Sequence, residues 1–306
     1  MSDNNNTYRE SVKFIQFIPW VDCINHCSFC FNKNNSNTTS IFNKKIRLNK
    51  ILSMMKEFDT PTRFGLFGGE FFEGQLIGVE DEWFKIIDEI NNNPNIESFQ
   101  VYATLINTQY LLDETISRLK KPFLICTSYD EVGRFHTEDK KLNWFKNIYD
   151  LHEKKISLFC TTIPTKEFIT SNSINLLPEW LGFNFNGPSI SCEWFKGLVE
   201  QGRQLEYNEL INKSHKFNLP TRDEFITWCI KHKDRLSCFL DFHATHSDTI
   251  YEFNEDDNSL VVQTSNKFRF TVGINIRDCG HPYTDAFYSD SDQCAACDAQ
   301  MIVDGV

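Results

Sequence analysis

The chain has 306 residues with 31 Lys and Arg against 42 Asp and Glu, a formal charge of −11 that disfavours a long nucleic acid as partner, since a polyanion needs a basic surface. Hydrophobic residues make up 41% and charged residues 24%, with 28 Phe, which excludes a disordered or fibrous chain and predicts a soluble globular protein with a large core. No apolar run approaches the ~20 residues of a membrane-spanning helix, and Met1-Ser2-Asp3-Asn4 lacks the layout of a signal peptide, so the expected compartment is the cytoplasm.

From about residue 12 to residue 190, β-branched and aromatic runs alternate with amphipathic helical patterns, the signature of repeated βα units around a parallel sheet. Six strands are predicted: Lys13 to Pro19, Arg63 to Phe67, Ser98 to Ala103, Pro122 to Thr127, Ile156 to Thr162 and Leu181 to Phe185. Between them, Trp83, Ile86, Ile87 and Ile90 follow the i, i+3, i+4, i+7 rule of a helix with one buried face, and Leu142, Phe145 and Tyr149 follow most of it. The stretch from about Glu193 to Asp234 reads as helical. Beyond it, Leu260 to Gln263 and Phe268 to Ile274, separated by the polar Thr264-Ser265-Asn266-Lys267, read as a hairpin. The expected domain boundary lies near residue 235.

Eleven cysteines are many for a cytosolic chain, and an odd number with uneven spacing points to metal or cluster ligation rather than a disulfide framework. Cys23, Cys27 and Cys30 form one tight group in the polar stretch after the first strand. Three thiolates this close can converge on one iron–sulfur cluster from a single loop, leaving one iron free for a ligand. A zinc site would need a fourth donor, with His26 the neighbouring candidate. Cys126 and Cys160 lie in apolar stretches and read as buried small hydrophobes.

The spacing Cys23-Ile24-Asn25-His26-Cys27-Ser28-Phe29-Cys30 resembles the CxxxCx-aromatic-C hallmark of the radical SAM enzymes, with Phe29 in the aromatic place. Phe67-Gly68-Gly69-Glu70 resembles their GGE element, and glycine there lets a backbone approach a ligand closely. Ala103-Thr104-Leu105-Ile106-Asn107 resembles their TNG-like segment without its glycine, and Ser128-Tyr129-Asp130 followed by Gly133-Arg134 resembles their S-x-D turn and arginine.

The resemblance implies an α/β fold, a partial (βα)6 TIM-like barrel in a core of residues 12–235, with a small cysteine-rich β-hairpin extension, residues 236–306, of the twitch or SPASM auxiliary type. It implies a [4Fe-4S] cluster on Cys23, Cys27 and Cys30. S-adenosylmethionine would be held by Phe29, Gly68, Gly69 and Glu70, the last through the methionyl amine, with Ser128 on the ribose and Arg134 on the carboxylate.

Near the C-terminus, Cys279-Gly280-His281 and Cys294-Ala295-Ala296-Cys297 read as a second metal centre. Zinc would be satisfied by Cys279, His281, Cys294 and Cys297. By the resemblance an iron–sulfur cluster is favoured, with Cys238 as the fourth thiol. His243 and His246, Cys192 and the acidic run Glu255-Asp256-Asp257 read as polar surface, an inert thiol and a solvated turn.

The activity so implied is that of an oxidoreductase or maturase-type enzyme, which cleaves S-adenosylmethionine reductively and abstracts a hydrogen atom from a peptide or small molecule. Its electron donor would be a flavodoxin or ferredoxin. Only about a dozen residues precede the first strand, too few for the leader-binding domain common in peptide maturases. Two alternatives stay open: the same chemistry on a nucleotide-type metabolite with structural zinc at the C-terminal site, and a non-catalytic cysteine-rich metal-binding protein.

Overall fold

A computed structural model describes residues 13–25, 27, 38–131, 133–162, 165–171, 173–185, 224, 227, 228, 231, 232, 249–254 and 256–264. Six strands, β1 (Lys13–Ile18), β2 (Thr62–Leu66), β3 (Ile96–Tyr102), β4 (Phe123–Tyr129), β5 (Ser157–Thr162) and β6 (Gly182–Phe185), lie side by side in sequence order, every neighbour parallel. Each matches a predicted strand to within about two residues, the usual uncertainty of element ends. Parallel strands require crossovers. These carry α1 (Ile41–Met55), α2 (Glu80–Asn92), α3 (Leu112–Arg118), α4 (Glu138–Glu153) and α5 (Lys166–Thr170). The result is an α/β fold whose sheet is open, as in a partial TIM barrel. No helix among the described residues is long and apolar enough to cross a membrane.

Two further strands extend the sheet on the other side of β1. β7 (Thr249–Phe253) pairs parallel with β1, and β8 (Leu260–Thr264) pairs antiparallel with β7. Leu260–Gln263 is a strand as expected, with Thr264 its last residue rather than the first of a turn, and it forms a hairpin with the segment ahead of it. The turn of that hairpin is built from Asn254 and Asn258, whose backbones bond each other at 3.0 Å. Phe268 to Ile274, the expected partner on the other side, lie outside the described residues. Arg47 fixes this hairpin to the body: its guanidinium donates to Asn258 Oδ1 at 2.6 Å and to Pro19 O at 2.9 Å.

The period-2 alternation of strands sends successive side chains to opposite faces. On the helix-covered face, rings from five adjacent strands form a file: Tyr251 stacks on Phe17 at 4.9 Å, Phe17 meets Phe64 at 5.8 Å, Phe64 stacks on Phe99 at 5.5 Å and Phe99 on Phe123 at 5.2 Å. Such pairs add about 0.5–1.5 kcal/mol each beyond their area. α2 seals the file with Trp83, Ile86, Ile87 and Ile90, all buried as its periodicity predicted. Its first turn holds Glu80, Asp81 and Glu82, placed to offset the positive end of the helix dipole.

The stripe predicted for α4 is wrong in phase. Leu142 and Tyr149 are 57% and 47% exposed, and the buried face is Trp144, Ile148 and Leu151, an equally good i, i+4, i+7 set. The tryptophan, whose Nε1 donates to Thr127 Oγ1 at 3.1 Å, decides which stripe faces the sheet. The helical reading of 193–234 falls largely outside the described residues, although Trp228 is buried 5.7 Å from the Phe168 ring.

Candidate functional site

The opposite, inner face of the sheet is polar. Gln16, Gly65, Gln100, Tyr102, Cys126 and Ser128 follow from the same alternation and the registers Gln16↔Gly65, Gly65↔Gln100 and Tyr102↔Cys126. Gln100 Nε2 donates to Tyr102 Oη at 3.2 Å and to Cys126 Sγ at 3.1 Å. Burial is the main cause that pushes both the Tyr102 phenol and the Cys126 thiol above their ordinary values, so both stay protonated at neutral pH. Gly65 is needed because an added Cβ would lie 2.8 Å from Gln16 Cγ and 3.0 Å from the Phe14 ring.

Above this face, β1 runs out into Pro19–Asp22 and then the first cysteine group. The segment Phe67–Glu70 leaves β2 beside it and continues the pairing: Phe67 N donates to Phe17 O at 2.9 Å, Gly69 N to Trp20 O at 3.1 Å and Glu70 N to Asp22 O at 2.8 Å. Gly68 sits at φ +141°, where a Cβ would come 2.2 Å from Trp20 O, and one on Gly69 would come 1.8 Å from Asp22 O. The glycines are therefore demanded first by the approach of one chain segment to another. They set the backbone of the cysteine loop against the end of β2.

Glu70 is fully buried. Its Oε1 accepts from Phe71 N at 2.9 Å and Phe72 N at 3.0 Å, and its Oε2 from Thr104 N at 2.5 Å, joining the ends of β2 and β3. Burial, with the charge of Glu73 second, raises its carboxyl to about 7. Cys23, half-buried, and Cys27, buried, are in the thiol form. Asn25 N donates to Cys23 Sγ at 3.4 Å. Burial pushes the Cys23 thiol up to about 12, with Glu70, Cys27 and Glu73 adding to the effect and the Asn25 hydrogen bond opposing it. A thiol so placed stays protonated at neutral pH and is a poor free nucleophile, while ligation of a metal would release its proton to solvent.

Ser128 and Arg134, singled out separately in the sequence, meet: Arg134 Nη2 donates to Ser128 Oγ at 3.0 Å. Asp130 shapes the turn between them, its Oδ1 accepting from Gly133 N and its carbonyl from Arg134 N at 3.2 Å. Ser128 proves to be inside β4, one residue before its end, so the strand holds its hydroxyl on the inner face.

Phe29, Cys30, Cys238, Cys279, Cys294 and Cys297 lie outside the described residues, as do His26, Cys192, His243, His246 and His281. Two residues that sequence reasoning missed, Asn25 and Glu73, stand beside the cysteines with Thr104 and Asn107 of the TNG-like segment, all joined through the Glu73 carboxylate. The available signal was Glu73 itself, a charge directly after Phe71 and Phe72 in a segment otherwise destined for the interior.

No family model matches the chain, and no curated protein matches it. Among solved structures it is similar to native anSMEcpe with bound AdoMet and a peptide, with TM-score 0.48 and 11% identity over 95% of each chain. It is likewise similar to His-tagged anSMEcpe with bound AdoMet, with TM-score 0.49 and 11% identity over 95% of each chain. Native anSMEcpe with bound AdoMet gives TM-score 0.47 and 12% identity over the same shares.

Proposed function

We propose that this chain is a radical SAM enzyme that modifies a peptide or a small molecule. The observation that carries the reading is the juxtaposition of two sequence elements: the loop bearing Cys23, Cys27 and Cys30 leaves β1 against Gly68-Gly69-Glu70 at the end of β2, held there by paired backbone hydrogen bonds. The donor set fits a [4Fe-4S] cluster, since Cys23 and Cys27 are thiols four residues apart beyond the end of β1 and Cys30 follows at the spacing of a third ligand. When bound, that cluster and S-adenosylmethionine would supply a 5′-deoxyadenosyl radical able to take a hydrogen atom from the substrate.

The chain's own residues divide the remaining tasks. Cys23, Cys27 and Cys30 hold the cluster. Gly68 and Gly69 set the adjoining backbone, and Glu70 fixes that segment to Thr104, so the groups facing the S-adenosylmethionine are rigid before it arrives. Arg134 and Ser128, joined on the inner face, would receive the carboxylate and ribose, and Phe29 would add to the binding of S-adenosylmethionine. Gln100, Tyr102 and Cys126 form the polar floor beneath. At the C-terminus, Cys279, Cys294 and Cys297 with Cys238 hold an auxiliary iron–sulfur cluster in residues 236–306, and the electron donor is a flavodoxin or ferredoxin.

Anaerobic reconstitution tests this. Brown protein that forms 5′-deoxyadenosine from S-adenosylmethionine supports the assignment, and a colourless, zinc-loaded protein overturns it. Replacing Cys279, Cys294 and Cys297 together by Ala should remove about four irons per chain while leaving S-adenosylmethionine cleavage. Loss of one zinc instead makes the C-terminal site a Cys3His centre with His281.

A further inference from the structure

We infer that Asn25 and Glu73 form a positioning pair that holds the cysteine loop in its ligating shape before any metal arrives, an inference that rests on the reading of that loop as a cluster site. Asn25 sits midway between Cys23 and Cys27 in the sequence, and its side chain makes three inward hydrogen bonds, using both amide protons. Nδ2 donates to Glu73 Oε2 at 2.6 Å and to Thr104 Oγ1 at 3.1 Å, while Oδ1 accepts from Asn107 Nδ2 at 3.1 Å. Its backbone N–H meanwhile donates to Cys23 Sγ. One residue thus ties a thiol to the barrel.

Glu73 is the fixed end of the tie. It is 6% exposed and Asn25 7%, and the carboxylate gathers donors from two segments, the cysteine loop and the loop after β3. Oε1 accepts from Thr104 Oγ1 at 2.5 Å, Asn107 N at 3.0 Å and Ile106 N at 3.1 Å, and Oε2 accepts from Asn107 Nδ2 at 2.8 Å as well as from Asn25. Four of those five donors belong to the loop after β3, which is itself bonded to Glu70. A buried carboxylate with this many short contacts has one place to be, and the loop bonded to it inherits that precision.

The base of the same loop is closed independently. Asp22, immediately before Cys23, accepts from Thr39 N at 2.9 Å and Thr39 Oγ1 at 2.8 Å, with Lys44 Nζ 3.3 Å away. All three cysteines fall between Asp22 and Thr39. Closing the base limits how far the loop can spread, and the Asn25 tie fixes where within that range the first two thiols stand. Outer contacts of this kind govern how well a ligand set retains its metal.

The test compares reconstituted wild type with Asn25→Ala, Asn25→Asp, and Asn25→Asp combined with Glu73→Gln, following the loss of visible cluster absorption after a chelator is added. Asn25→Ala should bleach roughly 10- to 100-fold faster than wild type. Asn25→Asp should be worse, because it sets two carboxylates 2.6 Å apart. The double variant exchanges amide and carboxylate across the pair and should recover stability over Asn25→Asp alone. Apo-protein unfolding curves for the Asn25 variants should remain cooperative, separating a loosened loop from a lost fold. Bleaching of Asn25→Ala at the wild-type rate, or no recovery in the double variant, overturns the positioning role while leaving the cluster assignment intact. A wild type that takes up no iron–sulfur cluster overturns both.

Discussion

The two faces of one sheet carry opposite chemistry. Tyr251, Phe17, Phe64, Phe99 and Phe123 run across the helix-covered face as a continuous apolar file, and all are hydrophobic surface removed from water. One residue along each strand, the inner face presents Gln16, Gln100, Tyr102, Cys126 and Ser128, each polar group needing a specific partner. The first face tolerates exchange of like for like and resists loss of volume. The second contributes little to stability and decides what can bind. Alternation lets successive residues of the same strands serve the two ends without compromise.

The sharpest separation should come at the rim of the inner face. Cys27→Ala is expected to reduce 5′-deoxyadenosine formation to background, since two protein thiolates cannot retain the cluster, while the apo-protein's unfolding midpoint stays close to wild type. A large fall in stability would instead make Cys27 a core residue. On the outer face, Phe99→Ala should lower the unfolding free energy by about 3–5 kcal/mol in urea titration, as for other buried aromatics. A cost under about 1 kcal/mol would mean that the file is not the principal core.

Glu70 gives a pH signature. Its carboxyl, raised to about 7 from an ordinary 4.5, binds its proton more tightly in the fold than in the unfolded chain, so its contribution to stability is fullest below 4.5 and is lost as pH rises through 7. Denaturation of apo wild type across that window should show a decline that Glu70→Gln lacks. Parallel curves for the two would place the titration elsewhere. Ser128→Ala, which removes the partner of Arg134, should raise the KM for S-adenosylmethionine roughly ten-fold with kcat little changed, the effect of one hydrogen bond to a charged group. The smallest effect belongs to Tyr102→Phe, about 1 kcal/mol of stability, the loss of one neutral hydrogen bond.

Much of this was legible beforehand. The six parallel strands announced themselves as short β-branched and aromatic runs alternating with amphipathic helical patterns, and Trp83, Ile86, Ile87 and Ile90 lie on one unambiguous stripe. α4 was misread because it offers two stripes, and only the position of Trp144 against Thr127 chooses between them. β7 went unread because it is short and its turn to β8 is made of asparagines, which signal reversal less strongly than glycine. Within the site, Cys23, Cys27, Gly68, Gly69, Glu70 and the segment from Thr104 to Asn107 could be found by their resemblance to known motifs. Asn25 and Glu73 could not, since their importance comes from contacts spanning 31 to 82 residues that no local pattern encodes.

The parallel pairing of β7 with β1 sets a timetable for biosynthesis. Strands β1 through β6 can add in the order in which they leave the ribosome, each finding its neighbour already formed. The far edge of β1, by contrast, acquires its partner only when Thr249–Phe253 has been made, and Arg47 meets Asn258 later still. Until then the nascent chain exposes a bare strand edge with Phe17 unstacked from Tyr251, directly beside the loop that carries the cysteines. Among the strand pairings of the described residues, the one between β1 and β7 joins the segments farthest apart in the sequence, so it has the longest interval to wait.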